Sequence, residues 1–542
     1  MDKIVILDFG SQTTQLIGRR IRDMGVYTEI LPGDTPLDAE VLAETRGIIL
    51  SGSPESVYEN GAAPDRAVYE CGLPLLGICY GLQRMNYDQG GLVEPLPRRE
   101  YGRIGVTITE AEDAGNGGAA NAAAIRRFLE GFPLNNGTRR FTAWMSHGDT
   151  LTRLAPGFRA YGLSDTGYPA VLIHEERPWF GLQFHPEVTH CEGGAGILRA
   201  FVFAVCGAGA GWTMERYVQE LRSSLAERVG DSPVLLLISG GVDSTVAGAL
   251  LLAALPPDQV HLMYMDTGLM RKDETKTVKA ALEKLGARHL HIVYCGEEFL
   301  SALKGLAEPE AKRKVIGDLF ITIQEREVRA LGLPDSYFLA QGTLYTDLIE
   351  SGKGVGKKAQ LIKSHHNVGS PLVDAKRRAG RILEPLDRLY KDEVRRLGAL
   401  VGVDQEVLRR HPFPGPGLAV RILGEVTAEK CDILREADAI FIEELKSRRS
   451  AETGNSFYDD IWQAFAVLLP IRSVGVAGDV RKYGWVLALR AITSADGMTA
   501  DVYPFPAADL LEISTRITNT VKDIGRVTYD ISSKPPATIE WE

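Results

Sequence analysis

Short apolar runs alternate with helical stripes through the first part of the chain. "KIVILD", "GIILSG" and "LPLLGIC" have the length and density of buried strands. Between the first two, Leu16, Ile17, Ile21 and Met24 recur at helical spacing and predict one apolar helix face. Strand and helix in alternation predict an α/β fold with an open, mostly parallel sheet. Around "FVFAVCGAGAGW" the pattern dissolves into small residues, which places a boundary near Cys206. Alternation resumes with "LLLISGGVDSTVAGALL", a strand, a tight loop and a helix, and "HLMYMDTG" ends the next strand. This predicts a doubly wound, Rossmann-like second domain. The proline- and glycine-rich "RHPFPGPGLAVR" marks another junction. Beyond it "SVGVAGDV" and "YGWVLALRAI" are strand-like, and helical stretches among them predict an α+β third domain. The expected divisions are 1–206, 207–413 and 414–542. No polar tail follows the last block, so the final segment is expected to dock, and "GNGGAANAAA" is expected to be a loop.

Composition narrows the class. A chain of 542 residues with 44% hydrophobic content can bury several cores, and a net charge of −10 gives no basic footprint for nucleic acid. Small molecules are therefore the expected partners. The six cysteines have no C-x-x-C spacing, no charged and apolar leader precedes the first strand, and no apolar run has membrane-spanning length. A reducing cytoplasm and no membrane role are the expectations.

Two stretches carry chemistry. In "PLLGICYGLQ", Cys79 stands between Gly77 and Gly81 directly after a buried strand. Small flanks permit a strained turn that projects the side chain, and a helix N-terminus favours thiolate over thiol. A buried core cysteine would look the same. "FGLQFHPEV" supplies His185 and Glu187, two apart and able to act as a base and its orienting carboxylate, although a solvated loop would use the same residues. The second stretch is the loop Ser239, Gly240, Gly241, Asp243 and Ser244, whose amides and hydroxyls can converge on an anion. It lacks the lysine of a G-x-x-x-x-G-K-[ST] loop. Asp243 can bind metal or cap the helix, and spacing does not separate these uses.

The order Cys79, His185, Glu187, with "LDFGSQTTQLI", "ILSGSPESV", "WMSHGD" and "QFHPEVTH", resembles the triad-type glutamine amidotransferases over residues 1 to about 206. The resemblance implies that Cys79 attacks a glutamine carbonyl, His185 moves protons, Glu187 orients the imidazole, and the amides of Ser53 and Tyr80 form the oxyanion hole. Two departures stand out. Ser53 replaces a usual glycine, adding a Cβ where backbone angles matter, and Thr13 replaces a usual tyrosine.

"SGGVDS" is similar to the loop of ATP pyrophosphatases, which implies that Ser239, Gly240, Gly241, Val242, Asp243 and Ser244 hold a whole pyrophosphate. With "AKRKVIGD", "IKSHHNVGSP", "RHPFPGPGLAVRILGE" and "SSKPPATIEWE" the resemblance extends over the whole chain to the glutamine-hydrolysing GMP synthases. It implies ATP as co-substrate with Mg²⁺ at Asp243, Lys363 at the phosphates, and Arg313, Gln463, Asp479, Lys534 and Glu540 at xanthosine 5′-monophosphate (XMP). A homodimer through the C-terminal domain is implied as well. Rival readings are a tRNA sulfur transferase, an NAD synthetase and a regulatory glutamine-binding module. The first lacks recognisable relay cysteines, the second lacks the C-terminal block, and the third has no use for Cys79, His185 and Glu187 together.

Overall fold

The computed structural model describes residues 1–58, 63–109, 121–344, 371–477, 480–494 and 499–542. They fall into two compact units, Met1–Tyr217 and a second that starts at Val218 and runs to Glu542.

The first unit is built on nine strands: β1 (Lys3–Asp8), β2 (Tyr27–Pro32), β3 (Thr45–Leu50), β4 (Leu75–Ile78), β5 (Leu92–Ile108), β6 (Arg140–Arg153), β7 (Phe158–Ser164), β8 (Pro169–His174) and β9 (Trp179–Leu182). They form one sheet in the order β2-β1-β3-β4-β9-β8-β7-β5-β6. The pairings from β2 through β9 are parallel, and those from β9 to β6 are antiparallel. Alternate residues explain why the parallel strands are apolar throughout. Ile4, Ile6, Ile49, Leu76 and Ile78 enter one core, while Val5, Leu7, Ile48, Leu50 and Leu75 enter another on the opposite face. A sheet buried on both faces can present chemistry only at its strand ends, and the C-terminal ends of β3 and β4 are where the motifs fall.

The helix Thr14–Arg22 buries Ile17 and Ile21 as its pattern predicts, but Leu16 is exposed. The inward face instead runs through Thr14 and Gly18, one helical step from the apolar stripe. The end of "GNGGAANAAA" also departs from the loop expectation, because Ala122–Ala124 open the helix Ala122–Glu130.

In the second unit β10 (Val234–Ile238), β11 (Val260–Asp266), β12 (His289–Tyr294), β13 (Phe338–Ala340) and β14 (Ile382–Leu383) form a parallel sheet in the order β12-β11-β10-β13-β14. Strand order reverses at β10, the switch point where doubly wound sheets bind ligands. The opening loop begins there. The C-terminal segment contributes β15 (Gln463–Ala477), β16 (Val480–Thr493), β17 (Asp501–Val502) and β18 (Ile524–Tyr529), antiparallel except for β18 along β16. The helix Ala428–Ser447 buries Leu434, Ala437 and Phe441 in the same core as Ala464, Ala466 and Leu468 of β15. The last segment does dock: fully buried Arg490 donates to the carbonyls of Ser532, Thr538 and Ile539 at 3.0, 2.9 and 2.8 Å. Among the described residues no helix is long and apolar enough to cross a membrane.

Candidate functional site

Cys79 lies between β4 and the helix Tyr80–Asp88 with φ +52°, one of four described non-glycine residues in the left-handed region. Such a backbone costs on the order of 1–3 kcal/mol and persists only where neighbours impose it. The neighbours are on both sides. A Cβ on Gly77 would come within 2.6 Å of the Gly81 carbonyl carbon, and one on Gly81 within 2.3 Å of the Leu50 oxygen. The amide of Cys79 donates to Leu182 at 2.7 Å and that of Gly81 to Ser51 at 3.0 Å, pinning the turn between β3 and β9. This is a nucleophile elbow with sulfur at its tip.

His185 follows β9, its amide held by the Trp144 carbonyl at 3.0 Å. Its Nδ1 is 2.8 Å from Oε1 of Glu187, and both side chains are buried. Burial alone would push the imidazole pKa down. The Glu187 charge and a hydrogen bond to the Cys79 sulfur outweigh it and hold the pKa well above the ordinary 6.5. Imidazole and carboxylate are thus paired beside the Cys79 sulfur, an order of groups that a nucleophile, a base and its orienter would use. Cys79 is buried in the core cluster, and burial also governs four other cysteines. Burial raises the thiols of Cys191 and Cys295 to about 12 and of Cys431 to about 11, and that of Cys206 well above its ordinary value.

The two departures from the amidotransferase pattern find places here. Ser53 is not among the described residues with positive φ, so its Cβ adds no left-handed strain, and its Oγ accepts from the amide of Glu55 at 3.1 Å. Gly52 beside it faces the ring: a Cβ there would sit 3.2 Å from Cε1 of His185. Thr13 places Oγ1 3.4 Å from Nδ1 of His185 and 2.9 Å from Ser11 Oγ. Neither Thr13 nor Gln183, which approaches Cys79, has a role that sequence spacing reveals.

The second site opens at the end of β10. Gly240 has φ +81°, and a Cβ there would press on Val278 at 3.1 Å. The hydroxyls of Ser239 and Ser244 lie 3.0 Å apart, and Ser239 Oγ accepts from the amide of Gly241 at 3.3 Å. Val242, Asp243 and Ser244 form the first turn of the helix Val242–Ala254, whose amides face the loop. Gly241 is the N-cap, and Asp243 lies in the first turn of the helix. Arg410 braces the loop from outside, donating to the Gly240 carbonyl at 3.3 Å and to Glu274 at 2.7 Å.

The residues expected at XMP divide into groups. Gln463 Nε2 donates to Glu540 Oε1 at 2.7 Å, and buried Arg421 grips the same carboxylate through Nε and Nη2 at 3.1 and 2.8 Å. Arg313 reaches the same segment through the main-chain oxygen of Glu542. Lys534 is tied by its backbone to Ala500, at 2.8 Å from its amide. Lys363 and Asp479 lie outside the described residues. Arg421 was hidden in the proline-rich knot, where nothing in the spacing signals a partner far along the chain.

Three family models match in succession: glutamine amidotransferase class-I over residues 5–205, asparagine synthase over 216–314, and the GMP synthase C-terminal domain over 451–541. Among curated proteins the chain is 46% identical over 542 residues to a glutamine-hydrolysing GMP synthase of Neisseria meningitidis serogroup B, covering 100% of this chain and 99% of that one. It is 46% identical over 540 residues to the Aquifex aeolicus enzyme of that name, covering 99% of each. The Lactobacillus gasseri enzyme of the same name matches at 46% over 542 residues, 100% of this chain and 98% of that one. With an elbow and its base in one unit, a phosphate-type loop in the other and full-length identity of this order, the chain belongs to the glutamine-hydrolysing GMP synthases.

Proposed function

We propose that the chain makes GMP from XMP by dividing the reaction between two sites. Cys79 attacks the side-chain carbonyl of glutamine. His185 takes the thiol proton and passes it to the departing ammonia, leaving a glutamyl thioester that water hydrolyses to glutamate. The amides of Ser53 and Tyr80 receive the oxyanion. At the second site ATP adenylates the C2 oxygen of XMP and releases pyrophosphate, and ammonia displaces AMP. The carbonyl oxygen on C2 of the purine is a poor leaving group until it carries a phosphoryl substituent, which is why ammonia alone does not suffice. The loop Ser239–Ser244 cradles the pyrophosphate, with Lys363 at the phosphates, and Arg313, Gln463, Asp479, Lys534 and Glu540 bind XMP.

The observation that carries this reading is the left-handed Cys79 backed by the His185–Glu187 pair. Mg²⁺ fits the loop by donor chemistry: the segment carries one carboxylate, Asp243, and the paired hydroxyls of Ser239 and Ser244, and this ion is held by one or two carboxylates plus substrate phosphates more often than by a protein cage. Bound there, it would neutralise charge on the pyrophosphate. Domain limits of 1–206, 207–413 and 414–542 follow the motifs. A homodimer through the C-terminal domain is favoured by Ile471, Val474, Val476 and Tyr483, apolar side chains left exposed on β15 and β16. Six free cysteines favour the cytoplasm.

The test is product balance. With XMP, ATP, Mg²⁺ and glutamine, the protein should form GMP, AMP, pyrophosphate and glutamate in equal amounts. ADP and phosphate in place of AMP and pyrophosphate would overturn the assignment of the loop.

A further inference from the structure

The elbow is approached by a buried amide that the triad does not require. Gln183, 1% exposed, directs Nε2 at the Cys79 sulfur from 3.8 Å, within reach for a sulfur acceptor. Which end of an amide faces a neighbour is ordinarily ambiguous, and here the surroundings decide it. Gln83 Nε2 donates to the Asp149 carbonyl at 2.8 Å, an acceptor that cannot be mistaken for a donor. The same nitrogen lies 3.3 Å from Gln183 Oε1, so that oxygen is the accepting end and the Gln183 NH₂ is left facing the sulfur. The Gln183 backbone is fixed in turn by its amide, which donates to Ala170 at 2.9 Å. On its other side the thiol has the Ser146 carbonyl, to which Cys79 Sγ donates at 3.8 Å.

These two neighbours treat the protonation states oppositely. The carbonyl of Ser146 suits the thiol, which has a hydrogen to give. Once the proton has passed to His185, the sulfur is an acceptor only, and the Gln183 N–H is the donor in place to meet it. We propose that Gln183 is a catalytic residue of the glutamine site, donating a charge-assisted hydrogen bond to the Cys79 thiolate. It serves twice: when the S–H bond ionises before attack, and when the C–S bond of the glutamyl thioester breaks and the electron pair returns to sulfur. This rests on Cys79 being the nucleophile.

Two substitutions separate donation from shape. Gln183→Glu keeps an oxygen to accept from Gln83 but loses the N–H and adds a like charge. Gln183→Met keeps the bulk and loses both ends. Alkylation by iodoacetamide, scored on the Cys79 peptide by mass spectrometry from pH 5 to 10, reports the thiolate directly. The rate at pH 7 should fall about tenfold in Gln183→Met and further in Gln183→Glu, with both profiles displaced to higher pH. The rate of glutamine hydrolysis should fall in the same order. Thermal unfolding near that of the parent confirms that each variant is folded, and if one fails the other still decides. Profiles that coincide with the parent's, at any level of hydrolysis, overturn the role of Gln183. Failure of the underlying reading looks different: Cys79→Ala would still hydrolyse glutamine.

Discussion

The elbow at Cys79 and the loop at Ser239–Ser244 are both a buried parallel strand, a tight turn and a helix, yet they store their unusual backbone in opposite places. In the elbow the left-handed residue is the proposed nucleophile: Cys79 has φ +52° while Gly77 and Gly81 clear the space around it. In the loop it is a glycine, Gly240 at φ +81°, and the serines beside it sit in ordinary backbone and bond one another. The difference follows from what is presented. A nucleophile is a single side chain that has to be thrust clear of its own backbone, whereas an anion cradle offers backbone amides and needs the side chain removed. The helices agree. That after the elbow carries the Arg84–Asp88 pair, while that after the loop is buried and apolar from Val246 through Leu251.

If this division is right, the largest effect belongs to Cys79→Ala. Glutamine-dependent GMP formation should drop by about 10⁴-fold or more, since nothing else supplies a nucleophile. GMP formation from ammonium salts should survive, and should rise with pH because neutral NH₃ is the attacking species. Parallel assays with the two nitrogen sources check this. A variant that uses glutamine at the parent rate would return Cys79 to the core.

Glu187→Gln comes next, with glutamine hydrolysis expected to fall about 10³-fold, because the orienting charge is lost while shape is kept. The parent His185 should titrate above 6.5, since the Glu187 charge and the bond to Cys79 overcome burial. Without that charge, burial is opposed by fewer groups and the value should fall, which NMR titration of the imidazole measures. The sign for stability is fixed too. A raised folded pKa stabilises fully below the unfolded value near 6.5, and that contribution disappears as pH rises through the folded value. Thermal unfolding against pH should therefore lose part of its alkaline decline in the variant.

The comparison also shows what was legible. Both turns could be found from the sequence because their determinants are local: glycines two residues either side of Cys79, and a glycine pair after an apolar run. His185 and Glu187 are likewise neighbours. What stayed hidden is contact between distant residues. Gln183 lies 100 residues from the Gln83 that sets its amide, and Arg421 lies 119 from Glu540. Leu16 failed for a subtler reason: a helix face is defined by its partner surface, and Thr14 and Gly18 fit against it better than a leucine one step round.

Gly240→Val sharpens the loop half. It puts a branched residue at φ +81° and a Cβ 3.1 Å from Val278. AMP and pyrophosphate formation should fall about 10²-fold from either nitrogen source, with glutamine hydrolysis by the elbow retained. Loss confined to the glutamine-driven reaction would contradict the placement of ATP chemistry at this loop.

The smallest effect is expected where the chain departs from the amidotransferase pattern, at Ser53→Gly. If the oxyanion amide at this position needed a left-handed backbone, restoring glycine would relieve strain and speed hydrolysis. Ser53 does not have positive φ, and its Oγ already holds the amide of Glu55 at 3.1 Å. Glycine would remove that bond and loosen the unfolded chain, for a cost of roughly 0.5–1 kcal/mol in stability. The kcat for glutamine hydrolysis should then stay within about threefold of the parent, with any change showing as a lower Tm. The contrast with Cys79 is the point of the measurement: the proposed nucleophile has a left-handed backbone and the proposed oxyanion residue Ser53 does not. A tenfold gain in kcat would mean that strain is shared between them, and that the turn at β3 works on the same terms as the turn at β4.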